Sequence, residues 1–405
     1  MIKIQDIATL SNGINFGKSA YTSGIKLIGV SDFKDRMYPD YNSLQEVDAK
    51  IVRENDFLHK GDIVFVRSNG NKELVGRCMM INQDIPVTFS GFCIRLRLNN
   101  TQLYNPIFFT YLFKSNWFRK AIAGTAVGAN IQNLSQGRLG NYEFECPNIE
   151  TQHRIATTLS RYDSLIENYQ KQIRLLEEAA QRLYKEWFVN LRFPGHENTK
   201  IVDGVPEGWE KKSIAAVTTK VTTGLNPREN FVLGHGENYY VTIKNMGENT
   251  FFLDEKCDKV DDEAIAKINK RSDLKKGDIL FSGIGTIGRV ALIGIPTSNW
   301  NVSESVFTMR ANETISKEYL YLMLLDSNMQ NYCQSHSHGA AQKGIRMADL
   351  KAFSFPLAPK SIIDLFTSKA EPLLNRVSKI RRQVVLLTES RDRLLPKLLS
   401  GEIEV

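Results

Sequence analysis

Two long stretches of the chain carry apolar residues at alternating intervals of four and three positions, which is the pattern of a helix with one apolar stripe. The first stripe contains Ile155, Leu159, Tyr162, Ile166, Tyr169, Ile173, Leu176, Ala180, Leu183 and Trp187. The second begins 211 residues later and contains Phe366, Ala370, Leu373, Val377, Ile380, Val384, Leu387, Leu394 and Leu398, with Arg391 as its polar interruption. We predict two helices, each about 48 Å long over these positions at about 1.5 Å per residue.

Apolar stripes of this length require a covering surface, because an exposed stripe would leave a large apolar area in water. The matching stripe of the other helix is the obvious partner, so we predict an antiparallel coiled coil. The alternative is that each stripe packs on its own globular domain. Pro372 and Pro396 lie near the two ends of the second helix and are expected to weaken it there.

The segments that precede the two helices also resemble each other. Lys60-Gly61-Asp62-Ile63 matches Lys276-Gly277-Asp278-Ile279, and residues 134–147 match residues 345–359. Both copies mix short β-branched runs, such as "DIVFV" and "DILFS", with apolar helical stretches. The predicted fold class is mixed α/β (α+β), with two globular domains of related fold separated by two long helices. The predicted ranges are 1–148 for the first domain, 149–190 for the central helix, 191–358 for a linker and the second domain, and 359–405 for the C-terminal helix.

The composition is that of a folded globular protein, and its basic charge is compatible with a polyanion partner without requiring one. Its 405 residues exceed the usual size of one core. A net charge of +7 and a pI near 9.0 fit a nucleic-acid partner as well as an ordinary basic surface. The five cysteines are scattered, the first residues do not have the shape of a signal peptide, and the apolar runs are too short to cross a bilayer. We therefore predict a cytoplasmic protein with no membrane partner.

Several short motifs resemble catalytic sites but lack the required context. "GIGTIG" (283–288) matches a dinucleotide-binding pattern, yet the strand-like "RVALIGI" follows it where that site needs a helix, so we predict a glycine-rich turn. Asp40, Asp48 and Lys50 leave open a metal-dependent nuclease, although the second copy has no counterpart. Cys333, His336 and His338 offer three zinc ligands without a fourth, which favours a polar loop.

What remains is basic and amide-bearing chemistry in loops, suited to phosphates and base edges in DNA. The candidate DNA-binding residues in the first domain are Lys34, Arg36, Arg67, Asn69, Asn71, Lys72, Arg77, Asn130, Gln132 and Asn133. Those in the second domain are Lys244, Asn245, Ser282, Thr286, Arg289, Asn299, Asn301, Gln342, Lys343 and Arg346. For any single member of this set, a solvated surface role competes with a DNA contact.

The junction between the first domain and its helix carries a more specific motif. Pro147 is followed by the pattern Glu-x-Gln-x-x-Ile at Glu150, Gln152 and Ile155, and then by Asp163 and Ile166. Together with "GVPEGWE" (204–210) and "RDRLLPKLLSGEIEV" (391–405), this layout resembles the specificity subunits of Type I restriction-modification systems over essentially the whole chain. The second junction, "LAPKSIIDLFTSKAEPLL", lacks the Gln and the Asp of the first.

The resemblance implies a non-catalytic reader of double-stranded DNA. Each domain would read one half of a split site, and the helices would set the gap and dock two methyltransferase subunits, which motor-nuclease subunits can join. The resemblance implies no cofactor for this chain, and S-adenosylmethionine, ATP and magnesium for the partner subunits. An autonomous nuclease and a coiled-coil scaffold without DNA readout remain the alternatives. Because the two copies differ where they would touch bases, the two half-sites are expected to differ in sequence.

Overall fold

The computed structural model describes residues 1–404 except 35, 72, 124–131 and 340–342. The chain divides into two compact units. The first unit combines Met1–Asn168 with Val384–Val405, and the second comprises Tyr169–Gln383. Each unit therefore contains a globular part and a stretch of both long helices. None of the described helices is both long enough and apolar enough to cross a bilayer.

The first unit contains an antiparallel four-stranded sheet and a smaller three-stranded sheet. In spatial order, the strands of the larger sheet are Ala8–Asn12, Cys93–Leu98, Ile63–Val66 and Cys78–Met80. Those of the smaller sheet are Gln45–Val47, Tyr21–Ile28 and Val87–Phe89, of which the last two pair in parallel. Helices Pro106–Lys114 and Asn116–Ala123 follow, and Asn105 caps the first of them through its side-chain oxygen.

The second unit repeats this arrangement. Its larger sheet has the order Thr218–Thr223, Val306–Ala311, Ile279–Ser282 and Val290–Leu292. Its smaller sheet has the order Asp258–Val260, Asn238–Val241 and Trp300–Val302, again with the last two strands parallel. Helices Lys317–Leu325 and Ser327–Ser335 correspond to those of the first unit, and a helix at Asp262–Ser272 is additional. The prediction of two domains of related fold is confirmed.

Short elements complete both units. In the first unit, they are the helices Ile4–Ile7 and Gln136–Gly140, and the strand pairs Ile2–Lys3 with Glu143–Phe144 and Ser68–Asn69 with Gln132–Asn133. In the second unit, they are the helices Ile214–Val217 and Met347–Ala352, and the strand pairs Ile201–Val202 with Val205–Pro206, Glu210–Ser213 with Ser354–Leu357, and Ser337–His338 with Gly344–Ile345.

The repeated Lys-Gly-Asp-Ile sequence forms the same turn and ion pair in both units. Asp62 is 2% exposed and accepts two hydrogen bonds from Arg97, each of 2.7 Å. Asp278 is 1% exposed and accepts two from Arg310, of 2.6 and 2.8 Å. These hydrogen bonds raise the pKa of both guanidinium groups. The repeat therefore preserves a buried, two-pronged carboxylate–guanidinium pair that ties the turn to the strand opposite.

The two predicted long helices are present as Ile149–Tyr184 and Lys360–Leu399. The first ends in a π-helical turn, Lys185–Val189. Every predicted stripe position is buried or half-buried. The second helix runs unbroken through Pro372 and Pro396, whose rings are on its exposed side. The expected weakening therefore does not interrupt the helix.

Within each unit the two helices run antiparallel. In the first unit, Leu159 and Leu398 lie in the same core cluster, so the beginning of one helix meets the end of the other. In the second unit, the rings of Trp187 and Phe366 are 5.9 Å apart, which joins the opposite ends. The same clusters also contain sheet and helix residues of the globular parts. Within each unit, the helix ends pack both on each other and on the globular part of that unit, so contacts of both predicted kinds are present.

A half-buried ion pair lies in the helix seam of each unit. In the first unit, Arg391 donates to Asp163 at 2.5 Å, and the hydroxyl of Tyr111 also donates to Asp163. Burial opposes the charge of Arg391, but its bonds to Asp163 and Asp392 outweigh burial and raise its pKa. In the second unit, Arg381 donates to Glu177 at 2.5 Å. Burial raises the pKa of Glu177, and Arg381 opposes that rise.

The junction motif of the first helix is structural. Gln152 is fully enclosed, accepts a hydrogen bond from the backbone N–H of Asn105 at 2.8 Å, and donates to the carbonyl oxygens of Pro147 at 2.8 Å and Leu103 at 3.2 Å. Its amide thus ties the start of the helix to the loop before helix Pro106–Lys114. The second junction has Ile363 at the equivalent position, which is buried in an apolar cluster instead.

Candidate nucleic-acid interface

Two loops that are distant in the sequence meet in the first unit. Ser68–Asn69 pairs with Gln132–Asn133, with Asn69 opposite Gln132. The backbone N–H of Leu134 donates to the carbonyl oxygen of Arg67 at 2.8 Å. Both loops were predicted to contact DNA, and the fold brings them side by side. We call this the first loop pair, consisting of residues 67–77 and 132–134.

The second unit joins the corresponding loops in the same way. Ile284 pairs with Gly344 as an isolated β-bridge. The N–H of Gly285 donates to the carbonyl oxygen of Lys343 at 2.7 Å, and the N–H of Ile345 donates to the carbonyl oxygen of Gly283 at 2.8 Å. We call residues 282–289 and 343–346 the second loop pair. Within it, Gly285 and Gly288 have φ angles of 78° and 92°, and strand Val290–Leu292 follows. The predicted glycine-rich turn is confirmed.

A cleft of about 400 Å³ opens beside the first loop pair. It is lined by Tyr21, Leu27, Gly29, Val30, Ser31, Gln45, Ser68, Asn69, Gly70, Ser90 and Phe92. Phe92 is 62% exposed and Tyr21 is 47% exposed, so both aromatic rings are accessible to a ligand in the cleft. The amide oxygen of Asn69 accepts from the N–H of Asn71 at 2.7 Å, so this turn uses the oxygen of the side chain and not its NH₂ group.

The cleft combines the two chemistries by which proteins recognise bases. Amides such as those of Asn69 and Gln45 can pair with base edges, and exposed rings such as Phe92 can pack on a base or a thymine methyl group. Tyr21, Gln45 and Phe92 were not among the DNA-binding residues predicted from the sequence. The only sequence signal for Phe92 was its place immediately before the strand run "CIRLRL", where an apolar residue is more often buried.

The structure sorts the other predicted residues by accessibility. The exposed side chains are those of Lys34, Arg36, Asn71, Asn133, Lys244, Thr286, Asn299, Lys343 and Arg346. The half-buried ones are those of Arg67, Asn69, Arg77 and Arg289. Lys72, Asn130 and Gln342 lie outside the described residues, as does the side chain of Gln132.

Three predicted residues are buried and serve the fold. Asn245 accepts a hydrogen bond from the N–H of Thr242 at 2.9 Å, which closes a turn. Ser282 donates to the carbonyl oxygen of Thr286 at 2.5 Å. Asn301 is bonded to Ser272 at 2.8 Å and to Asn269 at 2.6 Å. Because their polar groups are already used inside the protein, the candidate contact set is corrected by removing these three residues.

The residues considered as metal ligands either bond to other groups of the protein or differ in their exposure to solvent. Asp40 pairs with Arg36 at 3.1 Å, and the carboxylate of Asp48 accepts from the backbone N–H of Lys50 at 2.9 Å. Cys333 is fully buried, which raises the pKa of its thiol to about 12, whereas His336 is exposed. Among the residues that the structure describes, no group of three or more His, Cys, Asp or Glu side chains is arranged to hold a metal ion.

Comparison with known proteins agrees with this duplicated architecture. Two stretches, residues 1–178 and 206–364, match the family described as the Type I restriction modification DNA specificity domain. A relative from Methanocaldococcus jannaschii, the Type I restriction enzyme MjaIX specificity subunit, is 27% identical over 300 residues, which cover 73% of this chain and 68% of the relative. The StySPI specificity subunit of Salmonella potsdam is 20% identical over 430 residues, covering 99% and 88%.

The fold itself is similar to that of a solved structure. The crystal structure of the S subunit of a Type I restriction-modification system from M. genitalium aligns with a TM-score of 0.56 at 17% sequence identity, covering 98% of this chain and 94% of that one. Since the family match spans both units and most of the chain, the protein belongs to the family of Type I restriction-modification DNA specificity subunits.

Proposed function

We propose that each unit of this chain reads one half of a split DNA site through its loop pair. The observation that carries this proposal is that both units build the same pairing of two distant loops, yet fill it with different residues. The first loop pair presents Arg67, Asn69 and Asn71, and the second presents Thr286, Lys343 and Arg346. Recognition of two different half-sites requires the same backbone arrangement with different polar side chains.

The chain acts as the reader, and the chemistry belongs to its partners. Two methyltransferase subunits would bind along the helices and methylate DNA with S-adenosylmethionine. Motor-nuclease subunits that use ATP and magnesium would join them. The membership of the specificity family supports this division of labour. The pairing of Asp40 with Arg36, and of Asp48 with its own turn, also favours a reader over an autonomous nuclease.

The test is to map DNA methylation in a host that expresses the methyltransferase partner with and without this chain. We expect a split motif that is methylated only when the chain is present. Replacing residues 1–148 with the corresponding part of a relative that reads another sequence should change one half-motif and leave the other intact. Methylation that is independent of the chain, with an active partner, would instead favour a scaffold without DNA readout.

The helices are proposed to set the number of unread base pairs between the half-sites. Inserting one heptad after Asn168 and one after Gln383 keeps the seam and both half-buried ion pairs within their units. Seven residues at about 1.5 Å each add about 10 Å, or about three base pairs at about 3.4 Å per pair. We therefore expect the mapped motif to keep both half-sites and gain about three unread base pairs.

An insertion that lengthens the chain without lengthening the helices is the control. Seven Gly and Ser residues placed between Asp203 and Gly204 extend an exposed turn of the linker. That variant should methylate the original motif. If the heptad variant is folded and active but still methylates the original motif, the helices do not measure the gap.

A further inference from the structure

The cleft beside the first loop pair is uncharged. Its lining consists of serine, glycine and amide residues together with the apolar or aromatic Tyr21, Leu27, Val30 and Phe92, and none of these described residues carries a charge. A phosphate would lose its water in such a place without gaining a cation, which is costly for a charged group. The neutral edge of a base is therefore a better match to the cleft than the backbone of DNA.

The aromatic ring of Phe92 is presented from a backbone that is held in place. The N–H of Phe92 donates to the hydroxyl oxygen of Ser90 at 3.1 Å, and its carbonyl oxygen accepts from the N–H groups of Arg67 at 2.8 Å and Ser68 at 3.3 Å. The side chain is nevertheless 62% exposed. A ring on a backbone that is already ordered loses little conformational freedom when a ligand covers it, so Phe92 is prepared for an apolar contact.

In the same cleft, Asn69 offers a hydrogen-bond donor alone. Its side-chain oxygen accepts from the N–H of Asn71 at 2.7 Å, and an NH₂ group could not accept that bond. Its NH₂ group bonds to no other group in the part of the chain that the structure describes. An amide that reads adenine uses its oxygen and its NH₂ group together. Since the oxygen of Asn69 already serves the turn, the side chain is suited to a base that presents an acceptor.

One base combines an acceptor with an apolar group on the edge that lies in the major groove. Thymine presents its O4 atom and, next to it, its C5 methyl group. Adenine and guanine present acceptors without a methyl group, and cytosine presents an amino donor. The NH₂ group of Asn69 suits O4, and the exposed ring of Phe92 suits the methyl group. The chemistry of the cleft thus matches thymine better than it matches the other three bases.

The second unit builds the same fold with neither of these two groups. Immediately before its matching strand, Val306–Ala311, it has Ser305 where the first unit has Phe92. It has Gly285 where the first unit has Asn69, since each is the third residue after the position that pairs with the first residue of that strand. The fold therefore does not require the ring and the amide, which favours a role for them in reading one half-site.

We propose that the first unit reads a thymine of its half-site, with the C5 methyl group against the ring of Phe92 and the O4 atom bonded to the NH₂ group of Asn69. The inference rests on the proposed function, because it names the base that this cleft recognises. It also predicts an asymmetric reader. The corresponding positions of the second unit, Ser305 and Gly285, offer no ring and no amide, so they make no such contact.

The experiment replaces each thymine of the half-site read by the first unit with uracil, one at a time, in a duplex bound by the complex of this chain with its methyltransferase partner. Uracil lacks the methyl group but keeps O4 and the pairing with adenine. We expect one replacement to raise the dissociation constant about fourfold at constant salt, which is the effect of withdrawing one methyl group from a buried contact. If no replacement changes the dissociation constant, the proposal is overturned.

The variant Phe92→Ser shows whether the ring reads that methyl group. Serine is the residue of the second unit at this position, and the exposed side chain leaves no hole in the core. The variant should bind the thymine and uracil duplexes equally. Phe252→Ser is the matched control, because it removes another phenylalanine, 50% exposed, from the second unit and should keep the fourfold difference. If Phe92→Ser also keeps the difference, uracil acts through the shape of the DNA and the proposal is overturned.

The contact with O4 is tested by placing 5-methylcytosine at the same position, opposite guanine. This base keeps the methyl group but presents an amino donor in place of O4, which opposes the NH₂ group of Asn69. We therefore expect a larger loss of affinity than with uracil. If 5-methylcytosine binds as well as thymine, the methyl group alone is read and the role of Asn69 is overturned.

The proposed function is judged separately from the thymine contact. It depends on whether the replacement of residues 1–148 changes one half-motif. A first half-motif with no thymine on either strand would overturn the thymine contact and leave the proposed function standing. The same holds if the motif contains thymine but no uracil replacement weakens binding.

Discussion

Arg310→Met is expected to lower the free energy of unfolding of the second unit by about 3 kcal/mol, at the lower end of the range of about 3 to 5 kcal/mol for breaking a buried ion pair. The change leaves the carboxylate of Asp278, which is 1% exposed, without the two hydrogen bonds from Arg310. The remaining bond from the backbone N–H of Lys275, at 2.9 Å, cannot neutralise its charge. Arg97→Met should affect the first unit in the same way, because Asp62 is equally buried.

Chemical denaturation monitored by circular dichroism measures this effect. Arg310→Lys should give an intermediate loss, because it keeps the charge but not the two-pronged geometry. Lys360→Met is the matched control, since it removes an exposed pair with Asp364, and such pairs contribute about 0 to 1 kcal/mol. If Arg310→Met were no less stable than Lys360→Met, the repeated ion pair would not hold the turn to the sheet.

Asn69→Asp is expected to reduce methylation of the cognate site by about fivefold or more through the first half-motif alone. The substitution keeps an oxygen that can accept from the N–H of Asn71, so the turn is preserved. It removes the NH₂ donors and adds a negative charge next to DNA. Loss of one paired amide–base contact costs about 1 to 3 kcal/mol. Methylation rates on duplexes that vary one half-site at a time would show the loss of discrimination in one half only.

A chemically identical change elsewhere provides the control. The side chain of Asn100 accepts from the N–H of Gln102 at 2.9 Å, which is the same kind of turn. Asn100 follows strand Cys93–Leu98, whereas Phe92, which lines the cleft, precedes that strand. Asn100 and the cleft therefore lie at opposite ends of the strand. Asn100→Asp should therefore leave methylation unchanged. Equal losses in both variants would mean that charge, and not readout by Asn69, is responsible.

Sequence periodicity was sufficient for the helices because a stripe is a local pattern. It could not explain Arg391, which looked like a break in the second stripe. Its partner Asp163 is 228 positions earlier in the chain, and only the fold brings the two together. The repeated Lys-Gly-Asp-Ile sequence that contains Asp62 was recognisable because its residues are adjacent in the chain. The pairing of Asp62 with Arg97 was not, because the two residues lie far apart in the sequence.

The candidate interface was less predictable because polarity does not reveal exposure. Asn301 and Asn299 have the same side chain two positions apart, yet Asn301 is buried and bonded to Ser272 while Asn299 is exposed. Asn301 lies within strand Trp300–Val302, which is buried throughout, and Asn299 lies just before it; a strand of three residues is too short to be recognised from the sequence. Phe92 was missed for the opposite reason, since an apolar residue before a strand is usually buried.

The interleaving of the two units has a consequence for the order in which the chain becomes structured during its synthesis. Leu398 is 2% exposed within the core cluster of the first unit, together with Ile155 and Leu159. The second unit, Tyr169–Gln383, is complete before Leu398 leaves the ribosome, although the first unit begins the chain. The unit encoded first is thus finished last. A frameshift that replaces the residues after Gln383 would therefore remove Leu398 from the core of the unit that begins the chain.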